Sequence, residues 1–413
     1  MKHYDFNKLV ERSDSLSVKY NREAIASICN NPDAQPFWVA DMDFAAPPAV
    51  LEALKEQVEH GVLGYPRFPH LKETIAAWLE RRHGWSVSPS RIATAPGMLA
   101  SIATLVELYS KEGEGVIVPM PAYKPFVTIV EGLGRKLIPW PMLYDGKGGF
   151  TLDFDHLSHL LEDNHSPIIL FCSPHNPTGR VFTLEELTQL VAIAATFKTM
   201  IISDEIHGDL TYAHNTHTPL GTLVEESGVE CATCVAPSKT FNIAGQHFSA
   251  VICSSSTMYR KLTQRMETLR ISPDILATVA ASAAYSGGYG WLMDLNHYLS
   301  SQVNMVVNHF NEGGSGLLFV PPEASFIGLI DCSAIYERVA EEAKRNTDLY
   351  NPKLSPQGGL LSRFFGQKAA IAMNDGSWFG QGWERFVRFN FATSQGRVEE
   401  ALKAITAAVA ELN

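Results

Sequence analysis

From about residue 48 to 290 the sequence alternates short apolar runs with longer amphipathic stretches, and no other feature narrows the fold as much. GVIVPM (115–120), PIILFC (167–172), MIISDE (200–205) and CVAPS (234–238) are too short for buried helices and are rich in β-branched or bulky apolar residues. The stretches between them have helical periodicity and helical punctuation. PPAVLEALKEQVEHG begins with prolines and stops at Gly61, and TLEELTQLVAIAATF begins with Thr183, three residues before Glu186, the pattern of a capping box. Strands separated by helices cannot form tight hairpins, so the pattern predicts crossover units, a mainly parallel sheet and an α/β fold with helices on the sheet faces.

Beyond about residue 290 the rhythm changes to one long helix, WLMDLNHYLSSQVNMVVNHFNEGG, then turns and strands, then a last helix, GRVEEALKAITAAVAELN. This predicts a second, smaller α+β domain. The expected division is a large domain over 48–289 and a small one from 1–47 with 290–413. NPKLSPQGGLLSRFFGQKAAIA (351–372) reads as a turn-rich loop near the site.

Composition bounds the function. A chain of 413 residues that is 46% hydrophobic and 19% charged has enough length and apolar content for two cores. With 44 acidic against 33 basic residues its net charge of -11 argues against nucleic-acid binding. The start, MKHYDFNKLVERSDS, lacks the apolar core of an export signal, and no apolar run is long enough to span a bilayer, so no membrane association and a cytoplasmic location are expected. Six scattered cysteines suit a reducing compartment, and the lone Cys231-x-x-Cys234 reads as part of a buried strand. The histidines of HLSHLLEDNH and HNTH read as exposed helix and loop without companion ligands, so no metal is expected.

In a parallel sheet, ligands gather at the carboxyl ends of the strands. Four such ends carry chemistry. APSKTFNIAG places Lys239 among neutral neighbours, where desolvation would lower its pKa and make it a nucleophile able to form a Schiff base; a phosphate or carboxylate contact is the alternative. IISDEIHG ends in Asp204 and His207. Asp204 suits a metal ligand, a helix cap, or a carboxylate that keeps a heterocyclic nitrogen protonated. Asn176 in CSPHNPTG is a turn residue or a hydrogen-bond donor, and ATAPGMLASI offers the N–H groups of Met98 and Leu99 at a helix start, a place for a phosphate.

Taken in order, Asn176, Asp204 and Lys239, with WVADMDF (38–44), LGYP (63–66), SDEIH and VRFNFA (387–392), resemble fold-type I pyridoxal-phosphate enzymes over nearly the whole chain. WVADMDF, SPHNP, DEIH and APSKTFNIAG are most similar to the cystathionine β-lyase, or cysteine-S-conjugate C–S lyase, branch. The resemblance implies pyridoxal 5'-phosphate held by Lys239, with Asp204 on the ring nitrogen, Asn176 on the ring oxygen, Tyr123 stacked on the ring, and His207 nearby. It implies a phosphate site from Met98, Leu99 and Ser238, with Tyr65 reaching across a homodimer interface. It implies that Arg388 holds the substrate carboxylate in place, and that Trp38 and Asp41 belong to a segment closing over the site. Where related aminotransferases carry an arginine after the lysine, this chain has His247, a departure in the phosphate cup.

The implied reaction is α,β-elimination from a small amino acid: Lys239 removes the Cα proton, a thiolate leaves Cβ, and pyruvate and ammonia follow. An aminotransferase uses the same groups, and a regulator that binds the cofactor and acts through partner contacts is a third reading. His207 in place of a tyrosine, and APSKTFNIAG itself, favour the lyase.

Overall fold

The computed structural model describes residues 4–8, 10–13, 15–212 and 214–412. Its centre is a seven-stranded sheet made of β1 (Ile92–Ala95), β2 (Gly115–Met120), β3 (Lys136–Pro141), β4 (Ile168–Cys172), β5 (Met200–Asp204), β6 (Cys231–Val235) and β7 (Ser249–Cys253). The spatial order is β1-β7-β6-β5-β4-β2-β3. Four pairings are parallel, and only β7 runs antiparallel to its two neighbours. The apolar runs fall on this sheet because strands covered on both faces can be apolar throughout. Every residue of β2, β4, β5 and β7 is buried. Cys231 and Cys234 lie inside β6, buried as free thiols.

The helices between strands start and stop where the sequence says they should. Pro48–His60 ends on Gly61 in the left-handed conformation, and Leu184–Phe197 starts with a Thr183–Glu186 capping box. The 23-residue helix Tyr289–Asn311 leads to a second sheet, in which β8 (Leu318–Phe319), β9 (Ile327–Asp331), β10 (Asn374–Asp375) and β11 (Phe386–Asn390) pair antiparallel in the order β8-β9-β11-β10. The N-terminal segment joins this part of the fold, since Gln35 and Pro36 pair in parallel with Ile371 and Ala372.

Two expectations are corrected here. Residues 351–372 are not simply a loop, because Leu360–Lys368 is a helix with Leu361, Phe364 and Phe365 buried. A Cβ on Gly366 would come within 2.2 Å of Cys29, so the helix lies directly against the N-terminal segment. His217 is not exposed either. Its Nε2 lies 2.8 Å from the buried carboxylate of Glu205, a partner that makes burial of a polar ring tolerable. The histidines of Phe154–Asn164 do face solvent.

Candidate functional site

At the carboxyl ends of β2, β4, β5 and β6 lies a cavity of about 280 Å³. Lys239, Asp204, Asn176, Tyr123, His207, Ser238, Met98 and Leu99 all line it, so residues spread over about a third of the chain meet around one cavity. The sheet explains the meeting. Asp204 is the last residue of the central strand β5, opposite Cys172 of β4 and Cys234 of β6. Asn176 follows β4 by a turn, Tyr123 follows β2, and Lys239 sits in the single helical turn Pro237–Thr240 just after β6.

The carboxylate of Asp204 is buried and accepts only the peptide N–H of Ile206, at 3.1 Å, among the described residues. Burial pushes its pKa up to about 7, with Glu205 adding repulsion and Lys239 only partly offsetting it. The amine of Lys239 donates to the carbonyl of Ala40 at 2.6 Å and has no ion-pair partner among the described residues. Burial first, and then the charge of Arg388, bring its pKa down to about 8. An amine and a carboxylate thus share one cavity without forming an ion pair. Burial moves both towards neutrality, a shift common to groups that face a ligand site.

At one end of the cavity the helix Met98–Tyr109 points its first N–H groups inward from Gly97. Gly97 has φ 97°, a conformation costly for any residue with a Cβ, and an added Cβ there would also lie 3.5 Å from the ring of His247. With Ser238 and His247 on the same wall, this end suits an anion, held by backbone donors and the helix dipole rather than by an arginine.

Arg388 on β11 is buried behind Asn176. Its Nη1 donates to Oδ1 of Asn176 at 3.1 Å, and its Nη2 donates to Trp38 O at 2.9 Å and to Oδ1 of Asn374 at 2.8 Å. Burial lowers its pKa to about 10, still a cation at neutral pH. Its Nε and the Nδ2 of Asn374 are buried donors without partners among the described residues, a donor set that suits a carboxylate. Tyr123, which packs edge-on against Phe126, has its phenol pKa raised by burial and stays neutral.

Besides Arg388, which sits behind Asn176, three more expected residues lie off the wall. Tyr65 is fully exposed, in a segment without secondary structure. Trp38 points its indole away to Lys19 O, and contributes its carbonyl to Arg388. Asp41 pairs with Arg12 at 3.0 Å. It is their neighbour Ala40 that touches the cavity, and nothing in its side chain signals this. Asn242 was also missed. In APSKTFNIAG it exchanges hydrogen bonds of 2.9 Å with the peptide of Met42 and donates to Phe44 O at 2.7 Å, tying the lysine-bearing loop to residues 42–44. Asn374 carried no local signal, since it reaches Arg388 only through strand pairing.

Comparison with known proteins agrees with this geometry. The family model for aminotransferase class I and II matches residues 37–405. Cystathionine beta-lyase PatB of Bacillus subtilis is 32% identical over 407 residues, covering 98% of this chain and 100% of that protein. Protein MalY of Escherichia coli is 27% identical, covering 98% and 99%. Among solved structures, the PLP-bound C-S lyase from Staphylococcus hominis superposes with a TM-score of 0.87 at 26% identity, covering 99% of each chain. Cystalysin from Treponema denticola, whose structure contains a pyridoxal 5'-phosphate cofactor, gives 0.88 at 28% identity over 99% of this chain and 100% of that one. Fold, cavity and sequence agree, and the chain belongs to the aminotransferase class I and II family.

Proposed function

We propose that this chain is a pyridoxal 5'-phosphate-dependent carbon–sulfur β-lyase, cleaving L-cystathionine or a related L-cysteine S-conjugate to pyruvate, ammonia and a thiol. The observation that carries the reading is the unpaired amine of Lys239 and the unpaired carboxylate of Asp204 lining one cavity of about 280 Å³. The residues fit the cofactor: a pyridine N–H would complete the partnering of Asp204, an aldehyde would meet Lys239, and the helix start at Met98 and Leu99 with Ser238 would take the phosphate. When bound, pyridoxal 5'-phosphate supplies a ring that accepts the electron pair released at the substrate's Cα.

The chain's own groups do the rest. A negative Asp204 would favour a proton on the ring nitrogen of the bound cofactor, which would strengthen that sink. Asn176 is held by Arg388 through its Oδ1, which leaves its amide N–H free to donate to the ring oxygen. Arg388 and Asn374 hold the amino acid's carboxylate, fixing which Cα bond faces the lysine. Lys239, whose pKa burial brings down to about 8, would take the proton from Cα. The Cβ–S pair leaves with sulfur as thiolate, so the substrate is neither oxidised nor reduced overall and hydrolysis releases ammonia and pyruvate.

Val62, Leu63 and Tyr65 form an exposed apolar segment, which supports a homodimer in which Tyr65 reaches the phosphate site of the partner subunit. The large cofactor-binding domain spans 48–289 and the small domain 1–47 with 290–413, a division supported by the two separate sheets. The setting is the cytoplasm, in keeping with six unpaired buried cysteines.

The test is to incubate the purified protein with pyridoxal 5'-phosphate and L-cystathionine, with and without a keto acid. Pyruvate and thiol formed without the keto acid support the lyase. Product that requires the keto acid assigns transamination instead, and no turnover with either assigns a regulator.

A further inference from the structure

Ser325 carries no motif, yet it touches the cavity wall from behind. It lies just before β9, buried, with φ 77°, a left-handed conformation that glycine would adopt with less strain. Its position is fixed at both main-chain ends. Its N–H donates to Leu210 O at 2.8 Å and its carbonyl accepts the hydroxyl of Tyr212, while the preceding Ala324 bridges Thr211. The backbone is therefore locked onto the loop that follows β5. Its hydroxyl lies 3.0 Å from Nδ1 of His207, which lines the cavity with Lys239 and Asp204.

Burial, with the charges of Lys239 and Arg388 adding to it, brings His207 down to about 3, so the imidazole is neutral near pH 7. A neutral imidazole has one N–H and one bare nitrogen. His207 is the partner of the Ser325 hydroxyl among the described residues. If that hydroxyl accepted from Nδ1–H, its own O–H would be left buried without an acceptor. Donating to a bare Nδ1 satisfies both groups, and the ring proton then resides on Nε2.

We propose that Ser325 is a positioning residue: its hydroxyl donates to Nδ1 of His207, fixes the imidazole with its proton on Nε2, and so makes His207 a hydrogen-bond donor within the cavity. The consequence for ligand binding rests on the cofactor reading above. An Nε2–H favours an anionic oxygen on the cofactor ring, together with Asn176. Loss of the orienting hydroxyl lets the ring turn or change tautomer, and that preference weakens.

The experiment uses the full chain with 15N-labelled histidine, with the His207 signals assigned by their disappearance in His207→Gln. In the cofactor-free protein the parent is expected to show His207 as a single Nε2–H tautomer between pH 6 and 8. Ser325→Gly, which suits the left-handed backbone, is expected to give a mixed or reversed tautomer with no loss of thermal stability. Ser325→Ala keeps a Cβ and gives the same tautomer change if the glycine variant folds poorly. A parent carrying its proton on Nδ1, or an unchanged tautomer in both variants, overturns the proposal. Addition of pyridoxal 5'-phosphate gives the second readout, a dissociation constant about three- to tenfold higher in the variants than in the parent. Equal affinities in parent and variants overturn the link to the ligand. Failure of the parent itself to bind overturns the cofactor reading and leaves the tautomer result to stand by itself.

Discussion

Two buried lysines stand close to one another through consecutive residues, and the molecule treats them in opposite ways. Lys19 is 1% exposed and its amine lies 3.0 Å from Oδ1 of Asp43 and 3.1 Å from Asp41 O. Asp43 also receives Arg12 at 2.7 Å and the hydroxyl of Tyr20 at 2.9 Å. Burial alone would raise the pKa of Asp43, but the charges of Lys19 and Arg12 outweigh it and hold the carboxylate below its ordinary range. Lys239, by contrast, has only the carbonyl of Ala40 among the described residues, and the neighbouring carbonyl, that of Asp41, is the one bonded to Lys19. Paired charges anchor the N-terminal segment, and that anchored segment presents one acceptor to an amine left otherwise unpaired. Burial is compensated where the role is structural and uncompensated where a ligand is to arrive.

The largest expected effect breaks the comparison on the reactive side. Lys239→Ala should lower the rate of pyruvate formation by about 10³-fold or more and abolish the visible absorbance of bound cofactor, since in the proposed reaction one group serves as both attachment point and base. Circular dichroism and the Tm of the cofactor-free variant should match or exceed those of the parent. Asp43→Asn should do the reverse, costing about 3–5 kcal/mol in denaturant unfolding because Lys19 and Arg12 lose their buried counter-charge.

Asp204→Asn sharpens the contrast through pH. The folded-state pKa of Asp204 is raised to about 7 from an ordinary 3.8, so the folded cofactor-free protein binds a proton more tightly than the unfolded chain does. Its stability contribution is complete below pH 4 and is lost as pH rises through 7. At pH 8 the cofactor-free Asn variant should therefore be more stable than the parent, by on the order of 2–4 kcal/mol, and the difference should shrink towards zero at pH 4. Loss of cofactor affinity in the same variant would separate the two roles. A smaller effect is expected for Arg388→Lys, which keeps the charge but not the planar fork. KM for the amino acid should rise about 10- to 100-fold with a lesser change in kcat, measured at saturating cofactor.

The apolar strands β2, β4 and β5 were legible, as were helices whose local signals and tertiary needs agree: Thr183 and Glu186 cap one, and Gly61 ends another. CVAPS overlaps β6 only at Cys234 and Val235, because Pro237 starts a helical turn. The site was legible where residues end strands, as Asp204 does, or follow them closely, as Asn176 and Lys239 do. What stayed hidden depends on distant partners. The helix Leu360–Lys368 sits against Cys29, across more than 300 residues, a partner that the turn-rich local sequence around Gly358 and Gly359 does not reveal. His217 looked exposed because its partner, Glu205, is on another segment. Ala40 and Asn374 contribute a carbonyl and an amide whose importance comes only from where the chain places them.

The most direct test of the central claim is chemical. The protein is loaded with pyridoxal 5'-phosphate, reduced with borohydride, digested, and its peptides are analysed by mass spectrometry. A phosphopyridoxyl group on Lys239, in the peptide containing Thr240 to Gln246, is the predicted result. Its attachment to any other lysine, or to none, would contradict it.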